Sequence, residues 1–171
     1  MTRSILIFFG LVLPLSLVQA REPRPASQIA IPLADGKKIT LQQYKGKVVL
    51  LVIFSTTCED CIGALQFANI IQKDFGPKGF QAIGAAGDDN AQYQVGGIVD
   101  RFKLTFPVGY VTKDQIIGIA DLEKGQRPFV PMFIFIDKTG TVRFQYESNH
   151  PFFKTVDGST RSMIQNLLQG K

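Results

Sequence analysis

Val48 to Phe54 is an unbroken run of seven apolar residues, Val-Val-Leu-Leu-Val-Ile-Phe, rich in β-branched types. A run this short and this uniformly apolar has no face to offer to water, so it reads as a central strand of a sheet covered on both sides. The neighbouring segments fit that placement. Ser55-Thr56-Thr57 follows at once and supplies N-cap candidates for a helix to about Phe75, with Ile62, Leu65, Ala68, Ile71 and Phe75 on one face and Gly76-Pro77 as its stop. A second strand is expected at Phe80 to Ala86, and Asp88-Asp89 opens the next helix, about Ala91 to Phe102. Strand, helix, strand, helix implies parallel strands joined by crossovers. Pro107 to Val111 reads as a short extended piece and Asp114 to Leu122 as a helix. The pattern then switches. Met132 to Ile136, a turn at Asp137 to Gly140, and Thr141 to Tyr146 make an antiparallel hairpin, and Ser159 to Leu168 a final amphipathic helix. Ahead of the central run, Ala26 to Tyr44 reads as a lead-in hairpin turning at Asp35-Gly36, with a helical turn at Leu41 to Tyr44. The class is α/β: β-α-β followed by β-β-α, a mixed central sheet with helices on both faces and an N-terminal hairpin extension.

The first twenty residues differ from the rest. Arg3 gives a short positive start, Ile5 to Val18 is apolar apart from Ser16, with Gly10 and Pro14 inside it, and Val18-Gln19-Ala20 places small residues where a signal peptidase reads. Residues 1–20 are therefore expected to be a secretory signal peptide, residues 21–26 a short linker, and residues 27–171 one folded domain. The protein is expected to be exported, periplasmic or otherwise extracytoplasmic; an uncleaved segment would instead anchor it in the membrane. The formal net charge of +5 falls to +4 without residues 1–20, because Arg3 is their one charged residue. No basic run exceeds two residues, which argues against nucleic-acid binding. Such a charge supports at most a mild, transient attraction to acidic proteins or an anionic membrane surface.

Export gives the two cysteines their meaning. A disulfide can serve as a staple in an oxidising compartment, but Cys58 and Cys61 are only three positions apart. Closing a four-residue loop gains roughly 2 kcal/mol in the chain-entropy model, against about 3 for fifteen residues, so reactivity is the better reading. Residues i and i+3 share one helical face about 5–6 Å apart, within a small adjustment of disulfide reach. At the start of a helix, unpaired N–H groups and the positive dipole end favour a thiolate. Cys58 is thus expected to be the exposed nucleophile, and Cys61, one turn in, the buried resolving thiol. Glu59 and Asp60 oppose the thiolate and push the couple towards stronger reducing power, unless they merely complement the helix dipole.

Asp35-Gly36-Lys37, Tyr44-Lys45-Gly46-Lys47-Val48-Val49-Leu50, Phe54-Ser55-Thr56-Thr57-Cys58-Glu59-Asp60-Cys61 and the segment Phe129 to Gly140 together resemble the TlpA/ResA-like branch of the thioredoxin superfamily, over roughly residues 27–169. The resemblance implies a thioredoxin fold and an exported disulfide reductase acting on disulfide-containing proteins. It also implies electrons drawn from a membrane-embedded thiol reductant, often in the service of cytochrome c maturation. Cys58 and Cys61 match the redox pair, with no cofactor beyond their own disulfide. Pro131 matches the family's cis-proline, which makes Val130 and Pro131 the substrate-binding pair. Three positions depart from the pattern: Thr57 stands where the family usually has Trp, Val52 where a buried Asp or Asn is common, and Ala64 where some members carry an acid.

Weaker signals surround the pair. Thr57, Glu59 and Asp60 are candidates by adjacency. His150, the one histidine, lies in the Ser148 to Gly158 segment at the expected active end of the sheet. It is either an acid–base group or ligand, or a solvated loop histidine, the commoner fate. Phe152 and Phe153 offer an apolar landing surface or, more commonly, packing beneath the loop. Asp88-Asp89-Asn90 lacks calcium-loop spacing and reads as a helix cap. No metal site is expected. A thiol peroxidase of the redoxin type would resemble Pro-x-x-x-Thr-x-x-Cys, but Leu51 and Ser55 occupy those positions. A Sco-like copper(I)-binding module would suit soft thiolates, but such modules place three residues between their cysteines, where two stand here, and their histidine earlier, before the hairpin.

Overall fold

The computed structural model describes residues 23–26 and 28–170. The signal-peptide reading of residues 1–20 lies outside them. The central strand, β4 (Val48–Phe54), is buried along its whole length, each residue at most 1% exposed. Its even-numbered side chains enter one core with α1 (Glu59–Phe75), α2 (Ala91–Phe102) and α4 (Val156–Leu168). Its odd-numbered side chains enter a second core with α3 (Lys113–Ala120) and an N-terminal hairpin of β2 (Ile31–Pro32) and β3 (Lys38–Ile39). Each Leu or Ile so buried contributes roughly 1.5–3 kcal/mol relative to exposure. That double burial is why no polar residue interrupts the run.

The six-stranded sheet has the order β1-β8-β7-β4-β5-β6. β5 (Phe80–Ala86) and β6 (Val108–Tyr110) lie parallel to β4 on one side. β7 (Met132–Ile136) and β8 (Thr141–Glu147) form the antiparallel hairpin on the other. The expected α/β class and mixed sheet are present, with helices on both faces. Part of the expected linker is itself structured: β1 (Arg24–Pro25) pairs with Val142 and Thr141 at the sheet edge. The lead-in hairpin turns at Asp35-Gly36, closed by the Leu33 N–H to the Lys37 carbonyl (2.8 Å).

Two helix limits move. α3 runs from Lys113 to Ala120, one residue earlier at its start and two at its end, because Thr112 and Gln115 form a capping box and Asp121 turns left-handed at φ +50°. α4 starts at Val156, ahead of Gly158, after a short 3₁₀ helix over Pro151–Thr155. Gly158 is exposed, so the helix carries it at a cost of about 1 kcal/mol while Phe152 and Thr160 are buried on either side.

Candidate active site

β4 ends at Phe54, and the chain turns through Ser55-Thr56-Thr57 before α1 begins. Ranking by residue type expects one of those hydroxyl residues to cap the helix, and none does. Cys58 is the N-cap, in an extended conformation, and its Sγ accepts the Cys61 N–H at 3.2 Å. The Cys58 carbonyl takes the first helical bond from Ile62 (3.1 Å). Ser55 closes the preceding turn instead: its carbonyl accepts the Cys58 N–H (3.3 Å), and its hydroxyl contacts the Thr57 hydroxyl (3.2 Å). A sulfur at the N-cap does for one orphan amide what an oxygen does elsewhere, and it faces the positive end of α1.

Cys58 and Cys61 are joined as a disulfide with their Cα atoms 5.2 Å apart. They differ in surroundings. Cys61 is fully buried in the first core, whereas Cys58 is half-exposed at its edge. Thr57, Glu59 and Asp60 are all exposed around Cys58. Just ahead of β7 the Val130–Pro131 peptide bond is cis, and Val130, like Cys58, packs at the margin of the first core. β7 pairs with β4 up to Met132 and Ile53, so Pro131 leads directly into that ladder, and Val130 lines one cleft with Phe54 and Ser55. Pro131 is buried and Val130 half-exposed. Phe129, 56% exposed, is held beside them by its N–H bond to the Glu147 carboxylate (3.0 Å). A cleft of about 740 Å³ opens next to Val130, between Ser55, Asp88, Ile116 and Pro128.

His150 is not brought to the cysteines. Its Nδ1 accepts the Phe152 N–H (3.1 Å) as cap of the 3₁₀ turn, its ring packs on Tyr146 (centroids 4.8 Å apart), and it lines a separate cleft of about 580 Å³ with Phe144 and Met163. Phe152 is buried against Tyr146 and Phe153 packs on Phe133, so these rings pack beneath the segment rather than face a partner. Val52 is sealed in β4, and the position holds no group that could relay a proton. Among the described residues no three His, Cys, Asp or Glu side chains cluster as a metal site. The expected cap of α2 within Asp88-Asp89-Asn90 falls on Asn90, which is left-handed and makes no side-chain bond to the helix, while the Asp88 carboxylate accepts from the Thr56 N–H (2.7 Å) and hydroxyl, 32 residues away in sequence.

Residues 23–145 match the model of the AhpC/TSA family. The chain belongs to the AhpC/TSA family. It is 29% identical over 146 residues to the thiol-disulfide oxidoreductase ResA of Bacillus cereus (strain ZK / E33L), covering 85% of this chain and 76% of that one. It is 31% identical over 119 residues to ResA of Bacillus thuringiensis (strain Al Hakam), covering 70% and 65%. A crystal structure of a thiol:disulfide interchange protein of the thioredoxin family, from Chlorobium tepidum TLS, superposes with a TM-score of 0.71 at 20% identity, over 88% of this chain and 99% of that one. A secreted Mycobacterium tuberculosis disulfide oxidoreductase superposes with a TM-score of 0.62 at 15% identity, over 79% and 96%. The fold of this AhpC/TSA-family chain is thus the thioredoxin fold, and with its Cys58–Cys61 disulfide it is a thiol–disulfide oxidoreductase.

Proposed function

We propose that this AhpC/TSA-family oxidoreductase works outside the cytoplasm as a reductase of disulfides in proteins, with Cys58 as the attacking thiol and Cys61 as the resolving thiol. The observation that carries this reading is the asymmetry of the pair: one sulfur is half-exposed at a helix N-terminus, the other fully buried one turn along. In the reduced enzyme the Cys58 thiolate attacks one sulfur of the substrate disulfide, and the other leaves as a thiolate that takes up a proton. Cys61 then loses its proton and attacks Cys58 Sγ, which releases the second substrate thiol and re-forms the Cys58–Cys61 disulfide. Two electrons pass from the dithiol to the substrate, and no further cofactor is required because they move between sulfurs. In this reading an extended substrate segment pairs as an added strand with the Val130 backbone, which Pro131 shapes; the cleft that Val130 shares with Ser55 supports it.

A membrane-embedded thiol reductant restores the dithiol in this scheme, and cytochrome c maturation is the pathway the family resemblance favours. Export rests on the character of residues 1–20; N-terminal sequencing of the protein from a secreting host should find a start near Arg21. Cys61→Ser should trap mixed disulfides with substrate proteins and Cys58→Ser should not. Parallel assays of insulin-disulfide reduction, peroxide consumption and copper(I) retention on one preparation should show the first activity dominant. Dominant peroxide consumption or tight copper(I) retention would replace this reading with the redoxin or Sco-like alternative.

A further inference from the structure

We propose that Asp88 is a positioning residue of the exchange reaction, holding the Ser55–Cys58 turn so that Cys58 keeps its place as the N-cap of α1. This rests on the reading of Cys58 as the attacking thiol. Asp88 sits in the loop between β5 and α2, and its two carboxylate oxygens accept from the Thr56 N–H and the Thr56 hydroxyl. Those bonds tie the end of the neighbouring parallel strand to the middle of the turn, two residues ahead of Cys58. A backbone bond from Gly87 N–H to the Phe54 carbonyl (3.0 Å) brings the two segments together at the same point. The rest of the turn is held by weaker contacts: the Cys58 N–H to Ser55 carbonyl at 3.3 Å and the Thr57 N–H to Ser55 hydroxyl at 3.4 Å.

The geometry matters to the chemistry because a Cys58 thiolate gains from accepting the Cys61 N–H and from facing the α1 dipole, and both fall off steeply with displacement. Charge acts in the opposite direction, since a nearby carboxylate disfavours a thiolate. The two effects separate by substitution. Asp88→Asn and Asp88→Ala both remove the charge, but asparagine can still accept the Thr56 N–H and donate to the Thr56 hydroxyl, whereas alanine makes neither bond.

The reduced wild-type, Asp88→Asn, Asp88→Ala and Thr56→Val proteins are titrated by thiolate absorbance, and their thermal stabilities are measured alongside. The fraction of Cys58 present as thiolate at pH 7 should be about three- to tenfold lower in Asp88→Ala than in Asp88→Asn, the span expected when a partly buried charge loses its place at a helix end. Thr56→Val keeps the backbone bond and loses the hydroxyl bond, so its thiolate fraction should fall below wild type by a smaller factor. It carries the test if Asp88→Ala does not fold. Equal thiolate fractions in Asp88→Asn and Asp88→Ala would overturn the proposal even if alanine lowers stability, because Asp88 would then act on the fold alone. An unchanged thiolate fraction in Thr56→Val would overturn it likewise. Iodoacetamide labelling of the reduced wild type separates the underlying reading: faster modification of Cys61 than of Cys58 would refute the role of Cys58 itself, whatever the Asp88 variants do.

Discussion

Cys58 and Cys61 stand three positions apart where β4 gives way to α1, joined as a disulfide. Their difference in exposure follows from their places: Cys58, the N-cap, is half-exposed, and Cys61, one turn into α1, is buried. The cap of α1 is another matter. Residue type makes Ser55 to Thr57 the candidates, yet Cys58 occupies that position, whereas the expected cap of α2 within Asp88-Asp89-Asn90 is present at Asn90. Residue type states which oxygens can serve, but only the path of the chain states which amide lies within reach. Glu59 and Asp60 are exposed in the first turn of α1, directly after Cys58 in the chain and at the positive end of the helix dipole. Glu59→Gln with Asp60→Asn should stabilise the reduced form and raise the reduction potential by roughly 10–45 mV, measured in glutathione buffers. A potential that stays put or becomes more negative would leave the two acids with the dipole role alone.

The turn between β7 and β8 was expected from Asp137-Lys138-Thr139-Gly140, and the reason is on view. Asp137 Oδ1 accepts the N–H groups of Thr139 (2.9 Å) and Thr141 (3.0 Å), and Gly140 turns left-handed at φ +85°. Burial pushes the Asp137 carboxyl up, but the Thr139 hydroxyl, the Thr141 and Thr139 amides and the Arg143 charge outweigh it and hold the group below its ordinary value. A carboxyl lowered on folding stabilises the fold fully above its unfolded value and loses that contribution as pH falls through the lowered one. Asp137→Ala should therefore cost about 1–3 kcal/mol at pH 7, and the gap to wild type in urea denaturation should shrink below about pH 4. At β6 the informative residue is Gly109, which forms a bridge with Leu33 of the lead-in hairpin. A Cβ there would overlap the Pro32 carbonyl and come within 2.7 Å of Ile31 Cγ2. Gly109→Ala should lower the urea midpoint by an amount equivalent to about 1–3 kcal/mol, through displacement of the hairpin rather than any change at the cysteines.

The two cores flanking β4 are built from separate sets of side chains, and the disulfide touches only the first. A four-residue disulfide loop contributes roughly 2 kcal/mol in the chain-entropy model, small beside the burial that holds both cores. The reduced protein should thus stay folded, with a thermal midpoint only modestly below the oxidised form and the same cooperative transition. Calorimetry with and without dithiothreitol checks this, and loss of the transition on reduction would mean that the disulfide is a structural staple after all.

What the residues determined unaided was whatever depends on near neighbours in the chain. The seven apolar residues of β4 demanded cover on both faces. The spacing of Ile62, Leu65, Ala68, Ile71 and Phe75 set the inner face of α1, and the Cys58–Cys61 spacing set the chemistry. These follow from strand and helix periodicity, which a sequence carries directly. What the tertiary structure decided was which distant groups meet: Asp88 with Thr56, Gly109 with Pro32, Arg24–Pro25 with the edge of β8, and His150 with Tyr146 and Phe152 rather than with the cysteines. Each of those pairings spans a crossover or a sheet edge, or depends on how a turn lies on the sheet. A side chain's neighbours there are set by strand order and by where the chain re-enters the core, and neither is written in the spacing of the residues themselves.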